Sequence, residues 1–81
     1  MTRSELERRL AHEGIRADAY DLETRLSKNE VYCLERKDSQ WFVYYRERGL
    51  RNDERTFTSE ADACSFLLDR ILSDPTTRMS R

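Results

Sequence analysis

The residues that could carry covalent or acid–base chemistry in this chain are few and far apart. His12 is the single histidine, and Cys33 and Cys64 are the two cysteines. A general base needs a nucleophile or an acid held beside it, and none accompanies His12 on its stretch of alternating charges, so this histidine is expected at the surface. Cys33, Cys64 and His12 lack the paired spacing of a zinc site, and both cysteines lie in apolar patterns that suit small buried hydrophobes better than a disulfide. Gly14 and Gly49 are too distant to build a phosphate-binding loop. The carboxylates are plentiful but interleaved with arginines, as solvated partners. These residues imply a protein that is not an enzyme and takes no metal, cofactor or small-molecule substrate.

Binding chemistry is better represented. In the run Trp41 to Arg48, strand alternation puts Trp41, Val43 and Tyr45 on one face and Phe42, Tyr44, Arg46 and Arg48 on the other. Tyrosine and arginine are over-represented at the energetic centres of interfaces. Two outcomes remain open for the second face: it is a partner surface, or the N-terminal helix and residues 16–30 cover it as a second core. Strands covered on both faces lose their polar alternation, as this one does.

The composition limits the partners. Fifteen basic residues stand against sixteen acidic ones, for a formal net charge of −1, and no polybasic run occurs. Nucleic-acid binders draw most of their non-specific affinity from phosphate contacts on a basic face, so balanced charge argues against that class. Neither a membrane span nor a signal peptide is visible. A reduced, cytoplasmic protein is expected. At 81 residues, a single small domain buries roughly 60% of its unfolded surface.

The elements that position these residues follow from local signals. Ser4-Glu5-Leu6-Glu7 fits a capping box, a helix over about residues 4–13 follows, and Gly14 supplies a left-handed stop. Its apolar stripe is only Leu6 and Leu10, enough to lie along the edge of a core. Residues 16–30 show no period; Tyr20, Leu22 and Leu26 are expected to pin an irregular connection. Val31–Arg36 and Trp41–Arg48 form a hairpin about the turn Lys37 to Gln40, Gly49 to Asp53 is a second turn, and Arg55–Thr58 a third strand. Thr58 or Ser59 caps a last helix whose stripe is Ala61, Cys64, Leu67, Leu68, Ile71 and Leu72, ending at Asp74-Pro75. Phe66 falls outside the stripe and is expected to contact the first helix. The fold class is therefore α+β: one domain over residues 1–75 with an N-terminal helix, a three-stranded antiparallel meander and a C-terminal helix on the sheet, then a disordered tail over 76–81. The core joins Trp41, Val43, Tyr45, Phe57 and either Leu34 or Cys33 to the helix stripe.

Two resemblances bear on function. Trp41, Val43, Tyr44, Tyr45, Glu47, Arg48 and Gly49, then Phe57, Ser59, Glu60, Ala63 and Cys64, then Asp74, Pro75 and Thr76 resemble a W-x-V-Y-Y-x-E-R-G, F-x-S-E-x-x-A-C, D-P-T pattern of small bacterial proteins. Those proteins are of the immunity type, encoded beside polymorphic toxins, and the likeness covers about residues 14–77. It implies a protein that neutralises a cognate toxin domain by occluding it. The residues expected to touch that partner are Tyr44, Arg46, Arg48, Leu50 and Arg51. The second resemblance is topological: three antiparallel strands and a capped helix also describe small DNA-binding domains of the integrase-arm type, in which Phe42, Tyr44, Arg46 and Arg48 would face the major groove.

Overall fold

A computed structural model describes residues 1–23 and 29–79 of the chain, so the expected role of Leu26 lies outside the described residues. Helix α1 (Arg3–His12) begins at Thr2, two residues before the expected cap. The Thr2 hydroxyl accepts from the Glu5 N–H at 3.2 Å, and the Glu5 carboxylate accepts from the Thr2 N–H at 2.8 Å. Two overlapping frames of the same motif exist here, and the earlier one gives the longer helix. Leu6 and Leu10 are fully buried. Gly14 follows at φ +78°, where only glycine is unstrained.

The connection after α1 contains more structure than expected. A 3-10 turn (Ala17–Ala19) leads into strand β1 (Tyr20–Asp21), which pairs in parallel with the next strand, Tyr20 against Tyr32 and Asp21 against Cys33. Among the described residues the sheet therefore has four strands, not three, and is mixed. Two residues are too short to leave a readable period, and their pairing depends on the free edge of β2 beside them. Tyr20 packs against the main core beside buried Ala19 and Leu22, which holds the segment in place.

Strands β2 (Val31–Lys37) and β3 (Gln40–Glu47) are antiparallel around Asp38-Ser39, and β3 and β4 (Leu50–Phe57) around Arg48-Gly49. All four turn residues have positive φ, as two-residue hairpin loops require. Here β4 differs from expectation, starting at Leu50 rather than Arg55. Its sequence, LRNDERTF, has no strand period, but its backbone completes the ladder of β3. Val43 faces Arg55 and Tyr45 faces Asn52, so β4 carries one extra residue at a bulge where Asp53 has φ +55°. Charges and a bulge on an exposed outer strand also discourage pairing with other chains.

Helix α2 (Glu60–Leu72) is capped by Ser59, whose hydroxyl accepts from the Asp62 N–H at 3.3 Å. Cys64, Leu67, Leu68 and Ile71 are buried as the periodicity predicts, whereas Ala61 is exposed and Ala63 is buried in its stead. The cause is α1, which packs on α2 and gives it a second neighbour besides the sheet. The core joins Leu6, Leu10, Leu34, Val43 and the α2 stripe, with Trp41, Tyr45 and Phe57 packed at its margin. Leu34, not Cys33, faces the helices. Phe66 meets Phe57, ring centroids 5.3 Å apart.

Beyond α2 the chain stays docked through Met79, contrary to the expected tail; residues 80 and 81 lie outside the described residues. A 3-10 turn (Pro75–Thr77) buries Thr77, whose carbonyl accepts from the Arg16 N–H at 2.8 Å, and the Met79 N–H donates to the Gly14 carbonyl at 2.9 Å. Asp74 caps the turn, accepting from the Thr76 hydroxyl at 2.7 Å, the Thr76 N–H at 3.0 Å and the Tyr32 hydroxyl at 2.9 Å. The Thr76 hydroxyl bond is the largest of the effects that hold the Asp74 pKa below the ordinary aspartate value; partial burial opposes it. A lowered pKa in the folded state means stability that is complete above the unfolded pKa and lost as pH falls through the folded one. The melting temperature of Asp74→Ala is thus expected below wild type at neutral pH, with the gap closing below about pH 4, the ordinary aspartate range. Thermal melts from acid to neutral pH check this; a gap constant with pH would rule out the capping carboxylate as its source.

Candidate functional site

Both helices lie on one face of the sheet, and the site expected from sequence lies largely on the other. Val31, Cys33 and Tyr44 form a small buried cluster there, with Phe42 half-buried beside it. Of the two outcomes left open for this face, cover by the first helix does not occur, because α1 packs against α2 on the opposite side. Even so, Tyr44 is only 1% exposed. Its ring is a platform, with the Arg51 guanidinium 4.3 Å from the ring centroid. The guanidinium is fixed further by Glu35 at 2.6 Å and Glu54 at 2.8 Å. The Tyr44 hydroxyl donates to the same Glu35 oxygen at 3.3 Å. Burial pushes the Tyr44 pKa up to about 12, so the phenol stays neutral.

The five expected contact residues divide into three groups. Tyr44, Arg46 and Arg51 share the helix-free face, where Arg46 lies opposite Val31 on one side and Arg51 on the other. Arg48 is not on the strand face as alternation implied; it sits in the β3–β4 turn at φ +53° and is exposed. Leu50 pairs with Glu47, two residues beyond Tyr45, so it projects toward the helix side of the sheet at the hairpin tip. There it is 67% exposed, one of two large exposed hydrophobics among the described residues with Met79. Arg48 and Leu50 thus sit at the hairpin tip, whereas Tyr44 is buried beneath the Arg51 guanidinium. Sequence reasoning missed Glu35 and Glu54, which neutralise Arg51. The two-residue turn Asp38-Ser39 was the usable signal for Glu35, since it sets the β2–β3 register and places Glu35 opposite Phe42.

The residues considered first for chemistry remain apart. His12 is exposed at the end of α1, and Cys33 and Cys64 are buried free thiols in different clusters. Burial drives the Cys33 pKa up to about 11 and raises that of Cys64, so neither is a thiolate at neutral pH. Among the described residues, no group of three or more His, Cys, Asp or Glu side chains is placed to hold a metal, and no helix is long and apolar enough to cross a membrane. Comparison with family models, with curated proteins and with solved structures finds no match to this chain in any of the three.

Proposed function

We propose that this protein is a cytoplasmic immunity-type binding protein that neutralises a cognate toxin domain by occluding it, without chemistry of its own. The observation that carries this reading is the hairpin tip: Leu50, 67% exposed, beside the exposed Arg48. An apolar side chain held out beside a tight two-residue turn offers a partner a small apolar contact, and the arginines around it are of a type enriched at interface hot spots. The W-x-V-Y-Y-x-E-R-G resemblance, which runs through this same strand and turn, supports the same reading. Arg46 on the sheet face extends the surface, beside the ion-pair cluster of Arg51, Glu35 and Glu54, with Tyr44 as the rigid support beneath Arg51 rather than a contact itself.

The DNA-binding alternative is weaker for a specific reason. The face that would enter the major groove spends Arg51 on Glu35 and Glu54, and both carboxylates would repel phosphate. Anisotropy titration on mixed-sequence duplex at low salt separates the two. Binding in the range of about 10⁻⁴–10⁻⁶ M that collapses with added salt would favour DNA.

The direct test is co-expression with a candidate toxin domain, sought in the reading frames that flank the gene. Wild type is expected to restore growth and to co-purify in a stoichiometric complex. Leu50→Asp is expected to weaken the complex by roughly 30-fold or more, the scale of an interface hot spot, while leaving the thermal melt unchanged. Undiminished killing with no complex formed by wild type would end the immunity reading.

A further inference from the structure

A cleft of about 360 Å³ opens where β2 begins and β3 ends. That volume is within the range of about 300–1,000 Å³ that ligand pockets occupy. The rings of Tyr32 and Tyr45 line it, packed edge to face with centroids 4.8 Å apart. Around them stand Arg16, Asp18, Glu30 and Asp74.

The charges do not balance. Arg16 is committed, with Nη1 on Asp18 at 2.7 Å and Nε and Nη2 donating to the Thr76 carbonyl at 3.2 and 2.9 Å. Asp74 accepts hydrogen bonds only from neutral donors, Tyr32 and Thr76; Arg16 attracts it through space but makes no contact with it. The Glu30 carboxylate has no ion-pair partner among the described residues. Its backbone is held by an N–H donated to the Arg46 carbonyl at 2.6 Å. Tyr45 registers the surplus: after burial, the charges of Glu30, Glu47 and Asp74 raise its pKa against the opposing Arg16. Two carboxylates without an ion-pair contact among the described residues, beside two aromatic rings, favour a cation with an apolar, planar body.

We propose that this cleft receives the guanidinium of an arginine side chain from a partner polypeptide, stacked on Tyr45 and paired with Asp74 and Glu30. A guanidinium matches both features, since it stacks on aromatic faces and forks onto carboxylates, whereas an ammonium offers a point charge alone. A polypeptide fits better than a free small molecule because the rim continues into the exposed hairpin tip. The Asn29 side-chain carbonyl accepts from the Gly49 N–H at 2.9 Å, tying the cleft to the turn that carries Arg48 and leads into Leu50. A chain lying across this end of the molecule would meet the acidic cleft and the basic tip together. The inference does not depend on the partner being a toxin.

The test needs no partner protein. The isotope-labelled full chain is titrated, with amide shifts followed by NMR, against N-acetyl-arginine amide, its neutral isostere N-acetyl-citrulline amide, N-acetyl-lysine amide and free arginine. The capped arginine is expected to shift amides around Glu30, Tyr45 and Thr76 with millimolar affinity, more tightly than the capped lysine, and the capped citrulline about fivefold more weakly or not at all. Asp74→Asn, which keeps an acceptor for Thr76 and Tyr32, and Glu30→Gln should each weaken the capped arginine about three- to fivefold, the scale of a solvent-accessible ion pair. Equal responses to arginine and citrulline, or shifts elsewhere on the surface, would overturn the site. Tighter binding of free arginine than of the capped form would overturn the assignment to a polypeptide side chain.

Discussion

Leu67→Asp is expected to leave the chain unfolded at 25 °C. Leu67 is fully buried in the middle of α2, in the same cluster as Leu6 and Leu10 of α1 and Leu34 and Val43 of the sheet. A carboxylate there has no polar partner, and an uncompensated buried charge costs several kcal/mol even after relaxation. A domain of 81 residues has a total stability of only about 4–12 kcal/mol at the usual 0.05–0.15 kcal/mol per residue. Leu68→Asp should be milder, because Leu68 is 7% exposed and borders solvent. Ala61→Asp, on the exposed side of the same helix, should be close to neutral. Circular dichroism and urea melts rank the three. A Leu67→Asp protein that melts like wild type would show that α1, α2 and the sheet do not share one core.

Tyr44→Ala is the second large effect, at about 3–5 kcal/mol, the usual loss for a buried aromatic truncated to alanine. It empties the cluster of Val31, Cys33 and Phe42 and takes the platform from beneath Arg51. Tyr44→Phe keeps the ring and removes one long hydrogen bond to Glu35, which retains Arg51 as a partner, so about 0.5–1.5 kcal/mol is expected. Urea titration of both variants separates packing from hydrogen bonding. Similar losses for Ala and Phe would mean that the hydroxyl, not the ring, holds this face together. The comparison matters for function as well, because a partner-binding Tyr44 would lose affinity without losing stability.

Much of the frame was legible because its signals are local. Ser59 before Glu60 caps a helix through its own hydroxyl, the spacing of Cys64, Leu67, Leu68 and Ile71 defines a buried stripe, and the residues around Asp38-Ser39 turn one strand into the next. The alternation of Trp41, Val43 and Tyr45 against Phe42 and Tyr44 assigned the two faces of β3 correctly, because side chains on a strand must alternate. Buried cysteines and an exposed His12 followed from the same patterns.

What remained hidden is set by backbone partners distant in sequence. Tyr20–Asp21 is a strand only because β2 offers it an unpaired edge, and residues 50–54 only because β3 does, so neither shows a period of its own. The bulge at Asp53 adds a residue to β4, and its effect on which side chains share a face exists only in the paired sheet. The candidate site changed for the same reason. Leu50 and Arg51 point to opposite sides because strand residues alternate, but the β3–β4 register decides which of them faces the helices, and the chain brings Glu35 from β2 to neutralise Arg51. Periodicity and capping are properties of a few consecutive residues and are therefore written in the sequence. Register between strands, and which charge meets which, are decided where segments meet, and only the tertiary structure fixes them.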